Sequence, residues 1–307
     1  MTTAGYHLRM KTPRTKSTLI EITSRCIETR WTGTKDELQS VARAKYVVDF
    51  LGQDVDPAKV SRTDARRLID HLRAQGSSPA TINRALSALN SILEHAREMG
   101  ARGEGGFDRI YLREPRGRLR VVSDTELAGL LTILTAGVQE GAREPRVARL
   151  VSFLRGTGMR VSEALALRWE DLTRADEPGG GPHGMVLVRE SKNGTSRLIP
   201  LSAQAESSLR EAAAAGEDRE GPFSDLTAST LNKAWRRASE ALFSVVDREF
   251  VPHALRHTRA TELVSAGVPL AVVMQVMGHK SIRSTMRYAH CSSAAAVEWL
   301  TRTGKLS

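Results

Sequence analysis

A chain of 307 residues is long enough for about two domains, each able to bury its own core. Its hydrophobic content of 40% is that of an ordinary globular protein, and no apolar run approaches the roughly 18 residues that span a bilayer. A net charge of +10 and a pI near 10.0 favour a polyanionic partner, nucleic acid before an anionic membrane; charge alone leaves an unspecific basic surface as an equal alternative. The N-terminal MTTAGYHLRMKTPRTK is basic without an apolar stretch, so no signal peptide is expected. Cys26 and Cys291 stand far apart without metal-ligand spacing, as suits a reducing cytosol.

Residues 1–16 read as a flexible basic arm. Thr18–Trp31 is expected to form a first helix and Lys35–Phe50 a second, with Leu38, Val41, Ala42, Lys45 and Val48 near helical spacing and Gly52 beyond its end. Ser61–Gln75 makes a third: Ser61 and Asp64 have capping-box spacing, Leu68, Ile69 and Leu72 form its apolar stripe, and Gly76 ends it. The fourth has Ser78 as cap and Pro79 at its first position; Ile82, Leu86, Leu89, Leu93 and Ala96 then recur with a helical period before Gly100. These helices make a small all-α domain over 17–112. Arg62, Arg66, Arg67, Arg84 and Arg97 lie outside the apolar stripes. Singly, each is more simply a solvated side chain, while as a set they suit phosphate contact, which releases condensed counterions.

Ala101–Gly106 is glycine-rich and expected to be irregular. The run REPRGRLR sets Arg113, Arg116, Arg118 and Arg120 against one glutamate, which suits an extended basic linker over 113–122. It reads as an ordinary tether or as a strap across a DNA backbone. Ser123 and Glu126 form a second capping-box pair ahead of a helix to Leu134, and Val147–Leu154 is a further helix. Gly156-Thr157-Gly158 permits a sharp turn that can aim Arg160 inward, with Glu163 on the same face. The plain alternative is a local helix ion pair worth about 0.2–0.5 kcal/mol. The stretch 173–184 is a loop expected to be mobile. Met185–Arg189 and Arg197–Leu201 flank Asn193-Gly194 as a β-hairpin, with Lys192 beside the turn. Ala203–Ala215 and Ala228–Phe243 read as two more helices, the latter basic through Lys233, Arg236 and Arg237. The expected fold is mainly α with a small β-hairpin or sheet.

The densest chemistry lies between Val251 and His290. His253 and Arg256 are three residues apart, so they share a helix face just behind Pro252. An apolar helix with Leu270, Val272, Val273, Val276 and Met277 runs from Pro269 to Gly278, a left-handed cap, and His279 follows at once. Ser281 and Ser284 open a third helical turn that leads to Tyr288. Separate elements thus deliver two imidazoles, a guanidinium and a phenol within 40 residues. His253 and His257 have a spacing that zinc can use, but no HExxH motif or third ligand accompanies them, and no acidic cluster suggests magnesium. No metal and no cofactor are expected.

HALRHT, MGHKS and RYAH together resemble the C-terminal signature of the tyrosine recombinases, the phage integrase family. TGMRVSEALALRW at Thr157–Trp169 is similar to that family's first arginine motif, and ESKNGTSRLIPL at Glu190–Leu201 to its lysine hairpin. All stand in the family's order, and with the helical N-terminal region they cover most of the chain. The resemblance implies a two-domain architecture: a helical core-binding domain at 17–112 and an α+β catalytic domain at 123–291, followed by a tail at 292–307. It implies a site-specific recombinase in which Tyr288 attacks the scissile phosphate to form a 3′-phosphotyrosyl link. Arg160 and Arg256 would bind the nonbridging oxygens, Lys192 would protonate the leaving 5′-oxygen, and His253 would take the tyrosine proton. His279 would add a hydrogen bond to the phosphate, Glu163 would orient the site, and His257 would support it. Arg259 departs from the aromatic residue common in the family after the HT pair, which puts local packing in question.

The same resemblance makes Arg62, Arg66, Arg67, Arg84, Arg113, Arg116, Arg118 and Arg120 candidates for DNA contact. The implied partners are double-stranded DNA with inverted half-sites, further copies of the chain in a synaptic tetramer and an accessory DNA-bending protein, in the cytoplasm and without membrane. Only about 16 residues precede the first helix, so a core site without distal arm sites is expected. The tail, with Trp299 and Leu300, is expected to dock on a neighbouring catalytic domain, packing in cis being the alternative. Two other readings stay open: a type IB-like DNA topoisomerase sharing the tyrosine chemistry, and a non-catalytic DNA-binding repressor of the same fold.

Overall fold

The computed structural model describes residues 17–34, 36–103, 110–114, 119–136, 144–179, 181–189, 196–215 and 220–289. The arm at 1–16, the tail from 290 onward, Arg116, Arg118, and Lys192 with the Asn193-Gly194 turn lie outside these residues. The chain divides into two compact units, Met1–Gly117 and Arg118–Ser307.

The first unit is helical. α1 (Leu19–Cys26) starts at Thr18, which forms a reciprocal capping box with Glu21, and it continues as a π-helical turn over Ile27–Trp31. α2 (Glu37–Leu51) is followed by α3 (Arg62–Ala74) and α4 (Pro79–Glu98). α3 carries the expected Ser61–Asp64 box and buries Leu68, Ile69 and Leu72. α4, with Ser78 as its cap, buries Ile82, Leu86, Leu89, Leu93 and Ala96 and forms the spine of the unit. α2 departs from the expected phase. Its buried residues are Ala44, Val47 and Val48, while Leu38 is 85% exposed. Contact with α4 selects the face of α2, and Leu38 falls on the other side of the cylinder. Asn83, buried on α4, pins the outgoing strand of chain: Nδ2 donates to the Leu112 carbonyl at 2.9 Å, and Oδ1 accepts from the Leu112 N–H at 2.8 Å. Arg62, Arg66, Arg67, Arg84 and Arg113 are all exposed, and Arg67 pairs with Asp64 at 3.3 Å.

The second unit is built on α5 (Asp124–Ala136) and α6 (Glu144–Thr157). The Ser123–Glu126 box opens α5, the Glu126 N–H donating to Ser123 Oγ at 3.2 Å and the Ser123 N–H to Glu126 at 2.8 Å. A short α7 (Val161–Leu165) and a 3₁₀ turn at Trp169–Asp171 lead into a three-stranded antiparallel sheet, β1 (Leu172–Thr173), β2 (Met185–Val188) and β3 (Arg197–Pro200), in that order. Val186 lies opposite both Leu172 and Ile199. β1 has only 2 residues and so no period that a sequence pattern can show. α8 (Ala203–Ala214), α9 (Ala228–Leu242), α10 (His253–Ser265), α11 (Leu270–Met277) and α12 (Ile282–Met286) complete the unit. Phe153, Leu150 and Leu154 of α6 are fully buried at its centre. Of the apolar run on α11, Val273 and Met277 are buried, whereas Val272 is 44% exposed.

Arg120 holds the entry into this unit. Its Nε donates to Asp247 at 2.9 Å, its Nη1 to Glu126 at 3.1 Å, and the guanidinium lies 5.3 Å from the Phe250 ring centroid. An arginine expected among the linker's DNA contacts is thus engaged by the unit's own carboxylates. Among the described residues, no helix is long and apolar enough to cross a membrane.

α6 and α8 meet at Gly156, where a Cβ would lie 2.3 Å from Ser202 Oγ and 2.9 Å from Ala205 Cβ. Gly156→Ala is expected to destabilise the second unit by about 1–3 kcal/mol through overpacking, read as a lower urea midpoint at unchanged slope.

Candidate active site

α6 stays helical through Gly156, and Gly158, at φ +68°, makes the turn beyond its end. Arg160 is the residue that caps α7 and Glu163 lies three positions on, so their contact is a helix-start geometry rather than an exposed ion pair. The Arg160 N–H donates to Glu163 Oε2 at 3.0 Å and its Nη1 to Oε1 at 2.8 Å. Its Nη2 reaches across to the Gly278 carbonyl at 2.9 Å.

α10 begins at His253 and places Arg256 one turn in, 4% exposed. Arg256 Nη1 donates to the Gly158 carbonyl at 2.8 Å and Nη2 to that of Met277. Burial lowers its pKa to about 10, the neighbouring Arg160 adding to the effect, so it remains a cation at neutral pH. α11 ends as expected in a left-handed Gly278, φ 61° and ψ 47°. A third guanidinium, Arg197 at the start of β3, also meets this helix end. Its Nε donates to the Val276 carbonyl at 2.9 Å, and its Nη2 and Nη1 donate to Glu163 at 2.7 and 3.2 Å. The carbonyls of Val276, Met277 and Gly278 thus each accept from a different arginine. They belong to the last turn, where an α-helix leaves its acceptors without backbone partners. Sequence reading did not single out Arg197. Its signal was strand parity: Arg197 shares a face with the buried Ile199, while Leu198 between them is 52% exposed.

Tyr288 is 2% exposed and packs with Ala260, Val264, Val273 and Met277. Its hydroxyl lies 2.7 Å from His257 Nδ1. The partner of the phenol is therefore His257, to which only a supporting part was expected. His253 meets the His257 ring edge-on, 4.7 Å between centroids. His279 stacks parallel to Tyr288 at 6.2 Å, and its Nδ1 is 2.9 Å from Thr285 Oγ1. Burial lowers His257 to about 4, aided by His253, and lowers His279 to about 4, aided by Arg256. Burial also lowers His253, with Arg256 beside it. The Tyr288 phenol is raised by burial, against the opposing pull of Arg256 and Arg287. At neutral pH the phenol keeps its proton and the imidazole is uncharged, the two sharing one hydrogen bond.

Arg259, which departs from the aromatic residue common in the resembling family, packs its stem on the turn at Gly158, where a Cβ would lie 3.0 Å from Arg259 Cγ. Its head is 3.8 Å from Glu262. Among the described residues no cluster of His, Cys, Asp and Glu could hold a metal ion. Lys192, Arg116 and Arg118 lie outside the described residues, so the site as built contains Arg160, Glu163, Arg197, His253, Arg256, His257, His279 and Tyr288.

Residues 124–294 match the model described as Phage integrase family. The chain belongs to this family. Accordingly it is a tyrosine recombinase, an enzyme that breaks and rejoins DNA strands in site-specific recombination. It is 28% identical to a tyrosine recombinase XerC of Rhizobium meliloti (strain 1021) over 249 residues, which cover 76% of this chain and 74% of the relative. A tyrosine recombinase XerD of Corynebacterium glutamicum is 29% identical over 249 residues, covering 75% and 76%. The fold is similar to that of a Tn1549 transposon integrase solved with circular intermediate DNA, with TM-score 0.73, 18% identity, and coverage of 92% of this chain and 99% of that one. It is also similar to a lambda integrase dimer bound to a COC′ core site, with TM-score 0.69, 16% identity, and coverage of 89% and 77%.

The depressed histidines set a pH dependence. Between about 6.5 and about 4 the unfolded chain binds protons that folded His257 and His279 refuse, so stability rises with pH across that window and falls on acidification. Imidazole ¹⁵N shifts of His257 and His279 are expected to stay those of neutral rings from pH 8 down to pH 5.

Proposed function

We propose that this recombinase cleaves one DNA strand at a time by attack of Tyr288 Oη on the scissile phosphorus. The Oη–P bond forms as the P–O5′ bond breaks, which leaves a 3′-phosphotyrosyl link and a free 5′-hydroxyl. The bond energy is conserved, so a 5′-hydroxyl from another strand can reverse the step without a nucleotide cofactor. The observation that carries this reading is the convergence of Arg160 and Arg256 on the end of α11, next to the turn that leads to His279 and Tyr288. Planar guanidiniums match two phosphate oxygens at once and need no reorganisation when charge develops.

The tyrosine proton passes to the paired imidazoles. His257 Nδ1 already stands in hydrogen-bond contact with the phenol, where an unprotonated Nδ1 would accept its proton, and His253 stands edge-on behind it. A Thr285 hydroxyl donating to His279 Nδ1 leaves that ring's proton on Nε2, the tautomer able to donate to a phosphate oxygen. Glu163 orients Arg160, and Lys192 donates the proton that the 5′-oxygen needs to leave. Attack requires the phenol, 2% exposed, to turn out of its apolar cluster toward the phosphate.

Arg62, Arg66, Arg67 and Arg84, exposed on a helical core-binding unit, and Arg113 at the start of the linker supply phosphate contacts. The basic linker at 113–122 lets the helical and catalytic parts grip one duplex, although Arg120 serves chiefly the catalytic unit. The productive assembly is a tetramer on paired inverted half-sites, aided by a DNA-bending protein where the site needs one, in the cytoplasm. The tail at 292–307 links neighbouring subunits.

The test uses a nicked duplex built on the half-site that the chain selects from a random duplex library. The wild-type chain should form a covalent adduct that Tyr288→Phe abolishes, and Arg256→Ala should slow it by about 100–1000-fold. Lys192→Ala should fail on normal DNA and recover on a substrate whose leaving oxygen is sulfur, a leaving group that needs little protonation. Adducts from Tyr288→Phe, or no recovery for Lys192→Ala, would overturn the assignment of nucleophile and acid. Relaxation of supercoils by a monomer without a specific site would instead mark a topoisomerase.

A further inference from the structure

Arg197 has no part in the chemistry proposed above, yet its side chain is 5% exposed against 33% for Arg160. We infer that Arg197 is a positioning residue for cleavage: it neutralises Glu163 and anchors the turn Val276–His279, holding Arg160 and His279 ready for the phosphate. The inference rests on the assignment of Arg160 to the phosphate.

Glu163 is shared. Its Oε1 accepts from Arg160 Nη1 at 2.8 Å and from Arg197 Nη1 at 3.2 Å, while its Oε2 accepts from the Arg160 N–H at 3.0 Å and from Arg197 Nη2 at 2.7 Å. A carboxylate facing Arg160 alone would compete with DNA for that guanidinium. Arg197 engages both oxygens in the parallel fork that makes such pairs strong, so the cluster of two cations and one anion keeps a net positive charge for an incoming phosphate. Burial pushes the Glu163 carboxyl up, but the hydrogen bonds from Arg197 and from the Arg160 backbone bring it below the ordinary range, so it stays ionised.

The second contact of Arg197 acts on the other side of the site. Its Nε holds the Val276 carbonyl at 2.9 Å, three residues before His279, and Arg160 holds the Gly278 carbonyl between them. Gly278 makes this close approach feasible. A Cβ there would lie 2.8 Å from Arg197 Cζ, so the position needs glycine for its left-handed backbone and for room beside the guanidinium. One side chain of β3 therefore ties together the start of α7, which carries Arg160, and the end of α11, which precedes His279.

The test compares Arg197→Lys with the double variant Arg197→Met/Glu163→Gln, which leaves no unpaired buried charge. Single-turnover adduct formation is followed on the selected half-site duplex and on the same duplex with a neutral methylphosphonate at the scissile position. Melting temperature and half-site affinity are read in parallel. Both variants are expected to melt and bind close to wild type yet cleave the phosphodiester about 100-fold more slowly, as a misplaced catalytic group does. On the methylphosphonate, which makes far less use of Arg160, their deficit should shrink below about tenfold. An equal deficit on both substrates, or wild-type cleavage by both variants, overturns the inference. If the wild-type chain gives no adduct that depends on Tyr288, the functional reading itself falls, and this positioning role with it.

Discussion

The site depends on one helix end. The last turn of α11 offers three carbonyls without helical partners, and Arg197, Arg256 and Arg160 each take one. Such an end carries the negative pole of the helix dipole, equivalent to about half an elementary charge. Three guanidiniums brought together under a protein surface repel one another; the proximity of Arg160 is one of the influences that lower Arg256. The carbonyls and the single carboxylate of Glu163 offset that repulsion without neutralising it. The result is a fixed positive field whose donors are aligned by the backbone. This is the preorganisation that electrostatic catalysis requires.

The imidazoles follow the opposite logic. His253, His257 and His279 are all depressed, burial being the largest cause and nearby cations or imidazoles the next. A neutral ring can accept a proton from the phenol, whereas an imidazolium could not, and it adds no further charge beside the arginines. The same burial that raises the Tyr288 phenol lowers its hydrogen-bonded partner, so proton and phenol stay together until the surroundings change.

Around this centre, further polar contacts brace the helices that carry it. Arg155 of α6, 9% exposed at its side chain, pairs with Glu262 of α10 and with Asp124 at the start of α5. Thr258 of α10 accepts from the Val122 N–H at 2.8 Å, so the segment entering the second unit is stitched to the helix that bears Arg256. The aliphatic stem of Arg259 covers Gly158, and its charge meets the same Glu262. A polar residue is accommodated there because only its stem has to be apolar.

Local sequence signals determined most of the helices and many of their ends. Capping boxes at Ser61 and Ser123, Pro79 at a helix start and Gly278 at a left-handed stop act within a few residues, so their geometry is legible from type and spacing alone. Spacing likewise set which helix face or turn Arg160, Glu163, His253, Arg256, His279 and Tyr288 each occupy, while it was the resemblance to the recombinase family that grouped them as one site. What needed the tertiary structure was every choice made between distant segments. The buried face of α2 is selected by α4, which no count within α2 reveals. His257 rather than His253 meets the phenol because α10 and the turn after α12 cross at that height, a distance of 31 residues along the chain. Strand parity can put Arg197 on the face of Ile199, but only closure of β3 onto Glu163, 34 residues away, and onto the end of α11, 79 residues away, gives the buried guanidinium its partners. Local chemistry decides where a helix begins and ends; which buried charges meet is decided by packing, because only there do groups far apart in the chain share a low-dielectric space.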